Sequence, residues 1–296
     1  MCASEYSRRE FVLSAITVFG AANAPAATDG ETVLTATEVE AFLRDGRVIN
    51  SRTLGVGITG SVKAKLSHHG VSHDAHIQSV DESKSHFQSN AGTELNFRDC
   101  WMFNVAAYRL DGLLGLHMTP PSVARGWAGK SAAFTWWVPD AMMEAERKKK
   151  KLTAPDPESF NQQMYVVRVF DQLLYNTDRN LQNLLITPDW NLWMIDHTRC
   201  FRIRTDLAAP ANLSKCDRTL LSRMRQLERA SLKERIADYV RPNELDAILK
   251  RRDHIVKVFE SKIASLGEER VLFDMPQRAD VYRVPPPKLL AEKTGG

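Results

Sequence analysis

Apolar and polar positions alternate with changing period along the chain. Thr35-Ala36-Thr37-Glu38 opens a short helix whose Val39, Phe42 and Leu43 share one side. Residues 54–82 read as strands with a turn at Gly70, because Val62, Ala64 and Leu66 alternate with Lys63 and Lys65. Phe103, Ala106, Ala107, Leu110, Leu113 and Leu114 recur at three- and four-residue steps, which predicts a helix over 95–116 stopped by Gly115 and Pro120-Pro121. Residues 131–138 form an apolar, aromatic strand ended by Pro139. The polar stretch 144–158, with the basic run Arg147 to Lys151 followed by Pro155 and Pro157, predicts an exposed connection. A helix resumes over 160–175, with Met164, Val167, Phe170 and Leu174 on one face. Farther on, Ser231-x-x-Glu234 predicts a capping box. Leu245, Ile248, Leu249, Ile255, Phe259 and Ile263 then line a long helix closed at Gly267. Strands, one helix, a strand and then mostly helices predict an α+β fold with a small β-rich lobe and a larger helical lobe.

Composition narrows the classes. With 43% hydrophobic and 26% charged residues, the chain is neither a disordered tail nor a disulfide scaffold. No apolar run reaches the roughly 18–20 residues of a bilayer span. The net charge of +4, with both signs mixed along the chain, argues for no nucleic-acid partner. Ser7-Arg8-Arg9-Glu10-Phe11-Val12-Leu13, followed by an uncharged stretch to residue 27, fits a twin-arginine export signal. Small residues at Ala24 and Ala26 predict cleavage after residue 26 and a mature protein in the periplasm or cell envelope. Cys2 would leave with the signal, and Cys100, Cys200 and Cys216 match neither a disulfide framework nor a zinc motif. His68, His69, His73 and His76, clustered around Asp74, read as a polar hairpin rather than a metal site.

Two constellations carry chemistry. Gly55-Val56-Gly57-Ile58-Thr59-Gly60-Ser61-Val62 is a G-x-G-x-x-G-x-V loop, whose glycines let backbone amides approach phosphate oxygens. Ser61 stands where a Walker loop needs Lys, and strand periodicity follows where a dinucleotide fold needs a helix. A glycine loop between two strands is the arrangement of kinases. Val62 is expected to face the nucleotide, with Lys63 and Lys65 pointing away. The second constellation is Asp178-Arg179-Asn180-Leu181-Gln182-Asn183, followed by the strand-ending Ile195-Asp196. Apolar Leu184 to Ile186, a turn at Pro188-Asp189 and Leu192 to Ile195 predict a hairpin that returns Asp196 beside Asn183. Phosphoryl transfer uses this set: Asp178 to orient or deprotonate the acceptor hydroxyl, Asn183 and Asp196 to hold Mg²⁺ against the phosphates of ATP.

These residues resemble the atypical kinases, the phosphatidylinositol 3- and 4-kinases and their secretory-pathway protein-kinase relatives. Their catalytic loop reads D-R-H-x-x-N and their metal strand ends I-D, matching Asp178-Arg179, Asn183 and Ile195-Asp196. Ala106 to Asp111 and Leu116 to Pro120 look like the αC region of type II phosphatidylinositol 4-kinases. The resemblance covers roughly residues 54–200. It implies a two-lobed protein-kinase-like fold, with residues 27–138 and 139–296 as the lobes, ATP between them and Ala132 to Val138 leading into the hinge. It also places Gln78 where relatives carry the phosphate-gripping lysine, and Asn104 where they carry its αC glutamate. His197-Thr198 replaces Phe-Gly, and Asn180 replaces the loop histidine. The implied function is phosphotransfer from ATP to an acceptor that is a protein, a lipid or a small molecule. The alternatives are a pseudokinase that binds nucleotide or a partner, and nucleotidyl transfer on the same fold.

Overall fold

A computed structural model describes residues 32–55, 60–89 and 92–284. The export motif, Gly57 and the tip of the glycine loop lie outside them. In chain order the first elements are β1 (Thr32–Thr35), α1 (Ala36–Asp45), β2 (Arg47–Thr53), β3 (Val62–His68), β4 (Val71–Gln78), β5 (Asp81–Ser89), β6 (Gly92–Cys100), α2 (Met102–Leu114), β7 (Ser122–Trp127) and β8 (Lys130–Trp136). There follow β9 (Met142–Met143), α3 (Glu144–Lys149), α4 (Pro157–Leu174), β10 (Leu184–Ile186), β11 (Leu192–Met194), β12 (Cys216–Asp217), α5 (Arg218–Gln226), α6 (Arg229–Ile236), α7 (Pro242–Leu266), α8 (Glu268–Val271), β13 (Leu272–Phe273) and β14 (Val281–Val284).

Strands β2-β3-β4-β8-β7 form an antiparallel sheet in that spatial order. Register sorts its side chains. Val62, Ile77, Phe134 and Val123 are cross-strand partners, and their row packs with Ala64, Leu66 and Ala75 against Val39, Phe42 and Leu43 of α1. Thr35 and Glu38 close a reciprocal capping box that starts α1 where the sequence predicts it. The adjacent row, Arg52, Lys63, His76, Thr135 and Ser122, occupies the opposite face of the sheet. Val62 therefore belongs to the α1 core and not to the cleft, a correction to its expected role. The parity argument for Lys63 reverses with it.

The helical lobe packs α4, α5, α6 and α7 around one core, with Val166, Phe170, Leu221, Leu232, Ile248 and Phe259 all buried. Arg251 of α7 is wholly buried and donates to the carbonyls of Leu173 and Arg202 at 2.8 Å each, tying α7 to the segments that carry the site. The lobes are not two consecutive halves of the chain. Helix α2 puts Phe103, Ala107, Leu110 and Leu114 into the helical-lobe core, while β14 returns to pair with β1 and buries Tyr282 beneath the sheet.

Three local expectations change. Residues 95–100 are strand, not helix: β6 pairs with β5 over Asp81–Cys100, and Phe97 stacks on Phe87 at 4.0 Å. The helix begins only at Met102. The polar stretch after the hinge contains the short α3, pinned by buried Glu144, which accepts from Arg147 at 2.6 and 2.8 Å. Ser231 caps nothing, because α6 starts at Arg229, two residues earlier. Cys100, Cys200 and Cys216 are buried free thiols. Among the described residues no helix is long and apolar enough to cross a membrane.

Candidate active site

A cleft of about 750 Å³ opens between the lobes. Its roof is Arg52, Leu54, Gly55, Ser61, His76 and Thr135; its connecting strand supplies Trp136, Trp137 and Val138; its floor supplies Asn183, Leu185, Met194 and Asp196. Asp178 and Arg199 stand at the rim of the floor, and Asp99 and Asn104 contribute from the side of α2.

The floor is assembled by hydrogen bonds that the sequence order dictates. Helix α4 stops at Tyr175, a left-handed cap with φ 55°. The Asn176 amide then donates to Asp171 at 2.9 Å, and its oxygen accepts from the Asp178 backbone N–H at 3.0 Å, turning the chain. The hairpin of β10 and β11 pairs Leu184 with Met194. One step further, the Ile195 N–H donates to the Asn183 carbonyl at 3.1 Å, so Asp196 comes back beside Asn183 as the pattern predicts.

Arg179 locks this geometry. Its guanidinium donates to the Asp171 carboxylate at 3.0–3.2 Å and to the carbonyls of Asn183 and Ile195 at 2.7 and 2.8 Å. It also lies 3.1 Å from His197 Nε2. A guanidinium only donates, so that nitrogen accepts and His197 is neutral with its proton on Nδ1. Burial, reinforced by the charge of Arg179, holds the His197 pKa well below its ordinary value. Arg179 does not line the cleft; it joins the Asp178 loop to the Asp196 strand and acts as a positioning residue.

Asp178 is half exposed, and burial, helped by Asp196 and Asp99, raises its pKa against the opposing charge of Arg199. Burial also raises that of Asp196, opposed by its hydrogen bond from Thr198 at 3.1 Å. The Asn183 amide donates to the Asp178 carbonyl at 3.3 Å, which leaves its amide oxygen for other partners. That oxygen and the Asp196 carboxylate are hard donors. Among the described residues no cluster of three or more His, Cys, Asp or Glu is set to hold a metal. A two-donor floor suits Mg²⁺, which takes one or two protein ligands and completes its shell with water and phosphate.

The roof differs from the expected ion pair. Gln78 is buried and donates to Ser61 Oγ at 3.3 Å, while Asn104 Oδ1 accepts from the His197 backbone N–H at 2.8 Å. Asn104 therefore anchors the segment after Asp196. Gly55 and Ser61 line the roof, and Gly60, next to Ser61, has φ 63°, a backbone that favours glycine. His73 stacks on Trp136 at 3.6 Å, and burial takes both His73 and His76 down to about 4.

Sequence reasoning missed Asp99 and Arg199. Asp99 hides in a stretch whose spacing reads as helix. Arg199 follows Asp196 by three residues and belongs to no motif that its spacing alone reveals. Asp171, the buried partner of Arg179, is equally silent, since eight residues in a loop and helix obey no contact rule.

A β-rich lobe over a helical lobe, with a glycine turn above and a carboxylate-bearing hairpin below the cleft, is a mixed α+β protein-kinase-like fold. Hydra Fam20 with sugar is similar over 81% of this chain and 92% of its own, with TM-score 0.59 and 14% identity. The Golgi casein kinase with Mn/ADP bound is similar over 86% of this chain and 80% of its own, with TM-score 0.54 and 14% identity. At this identity the likeness is one of fold. No protein-family model and no curated protein sequence matches the chain.

Proposed function

We infer that the protein is an atypical kinase-like phosphotransferase that uses a nucleoside triphosphate, ATP, with a divalent cation such as Mg²⁺. The observation that carries this reading is the return of Asp196 to Asn183 beneath a cleft at whose rim Asp178 stands. Asn183 and Asp196 would hold the cation, which when bound neutralises phosphate charge. The cleft lining holds four carboxylates, Asp99, Glu146, Asp178 and Asp196, so a polyanionic nucleotide needs that neutralisation. Asp178 orients the acceptor hydroxyl and takes its proton. Gly55, Gly57, Gly60 and Ser61 cover the phosphates. Arg179 keeps Asp178 and Asp196 in register.

The acceptor is a hydroxyl on a protein, a lipid or a small molecule. Export rests on the Ser7–Leu13 motif. The second reading is a pseudokinase, favoured by the amides Gln78 and Asn104 where a cation and its partner are expected.

Incubation of the mature chain with ATP labelled on the γ- or the α-phosphate tests the reading. Label transferred only from the γ-position is expected. Transfer only from the α-position makes the protein a nucleotidyl transferase, and transfer from neither leaves a pseudokinase.

A further inference from the structure

Positive charge is scarce in this cleft where phosphates need it. Among the described lining residues only Arg52 and Arg199 are permanent cations. Arg52 is exposed on the roof beside Leu54. Lys63, though on the cleft-side face of the sheet, is engaged by Asp74 at 2.9 Å and by the ring of Trp137 at 3.9 Å.

Arg199 is built differently. The Cys100 N–H donates to the Thr198 carbonyl at 2.8 Å, which sets the end of β6 beside the segment after Asp196. Arg199 Nε then donates to Asp99 Oδ2 at 2.8 Å. The Asp99 side chain is 4% exposed and that of Arg199 30%, so one edge of the guanidinium is fixed and the other opens on the cleft. The ring of Phe97 lies 5.7 Å from the guanidinium carbon. The open edge stands 3.7 Å from Asp178 Oδ2, close enough for attraction and too far for a hydrogen bond. A guanidinium held at one edge presents its remaining N–H groups in a rigid fork, the geometry that matches phosphate oxygens.

We propose that Asp99 and Arg199 replace the lysine–glutamate pair absent from Gln78 and Asn104: Arg199 grips the phosphates of the nucleotide, and Asp99 positions Arg199. The pair has moved from strand and helix to the junction of β6 with the floor, where phosphates meet the acceptor's base. With the charge carried by Arg199 and Asp99, Gln78 and Asn104 can both be neutral amides. It rests on the nucleotide reading above.

The test is calorimetric titration of Mn-ADP and, separately, adenosine into wild type, R199Q and R199K. Loss of charge-assisted hydrogen bonds should weaken Mn-ADP binding to R199Q by about 10–100-fold. Adenosine, which has no phosphate, should bind R199Q as it binds wild type, which also shows that the variant is folded. R199K keeps the charge and should recover part of the Mn-ADP affinity. R199Q that binds Mn-ADP like wild type overturns the assignment. So does R199Q that loses adenosine and Mn-ADP alike while R199K restores neither, because Arg199 is then structural. Wild type that takes up neither ligand overturns the nucleotide reading itself, a result visible before any variant is compared.

Discussion

The floor and the roof of the cleft hold their residues by different means. On the floor one buried guanidinium, Arg179, joins a carboxylate, two carbonyls and a neutral imidazole, so that the Asp178 loop and the Asp196 strand move as one piece. On the roof the residues at the expected ion-pair positions make neutral contacts, Gln78 to Ser61 and Asn104 to the His197 backbone. Charge-assisted bonds are roughly twice as strong as neutral ones and leave a larger penalty when broken. The floor is thus held through a buried charge, and these two roof positions through neutral contacts.

That contrast is open to attack at four points. The largest effect belongs to Asp178→Ala, expected to slow transfer by about 10²–10⁴-fold while nucleotide affinity stays the same; side-by-side turnover and titration check it, and lost affinity would make the residue structural. Next, Arg179→Met leaves Asp171 buried without its cation and should cost about 3–5 kcal/mol of stability, read from denaturant unfolding. A loss below roughly 1 kcal/mol would mean that the floor is not locked in this way.

The third attack uses pH. Asp111 on α2 is buried, and burial raises its pKa to about 7 although the Met118 N–H donates to it at 3.1 Å. Met118 in turn accepts from the Met194 N–H at 2.7 Å, so this carboxyl links α2 to the floor. A carboxyl with a folded pKa above its unfolded value binds more protons when folded, so its contribution becomes adverse as pH rises from about 4 through 7. The melting-temperature advantage of Asp111→Asn over wild type should widen from about pH 5 to pH 8, and a gap that does not change with pH contradicts the assignment. Smallest is Gln78→Ala, which should cost about 1–3 kcal/mol, the usual loss when one partner of a buried neutral hydrogen bond is removed; equilibrium unfolding that gives a loss as large as that of Arg179→Met erases the contrast between roof and floor.

The same contrast governs how much could be read from the sequence. Asp178, Asn183 and Asp196 were legible because a tight loop and a short hairpin join them, and local spacing fixes where such residues go. The two-lobed fold was legible from the change of period along the chain. Val62 was not, because its side depends on which residues pair across β3 and β4. Residues 83–94 are nearly all polar, so the β5–β6 ribbon offered no apolar alternation, and Asp99 at its end was lost inside a helical expectation. Asp99 and Arg199 meet 100 residues apart. No local pattern encodes such a pair.

On the proposed reading, the floor carries a nucleotide through a divalent cation held by Asn183 and Asp196. Titration of ADP into wild type and Asp196→Asn, each with Mn²⁺ and again with EDTA, tests it most directly. Wild type should bind ADP with Mn²⁺ and lose most of that affinity in EDTA, while Asp196→Asn should be weak in both, because an amide cannot supply the charge that holds a hard cation. Equal, metal-independent binding by both proteins would contradict it.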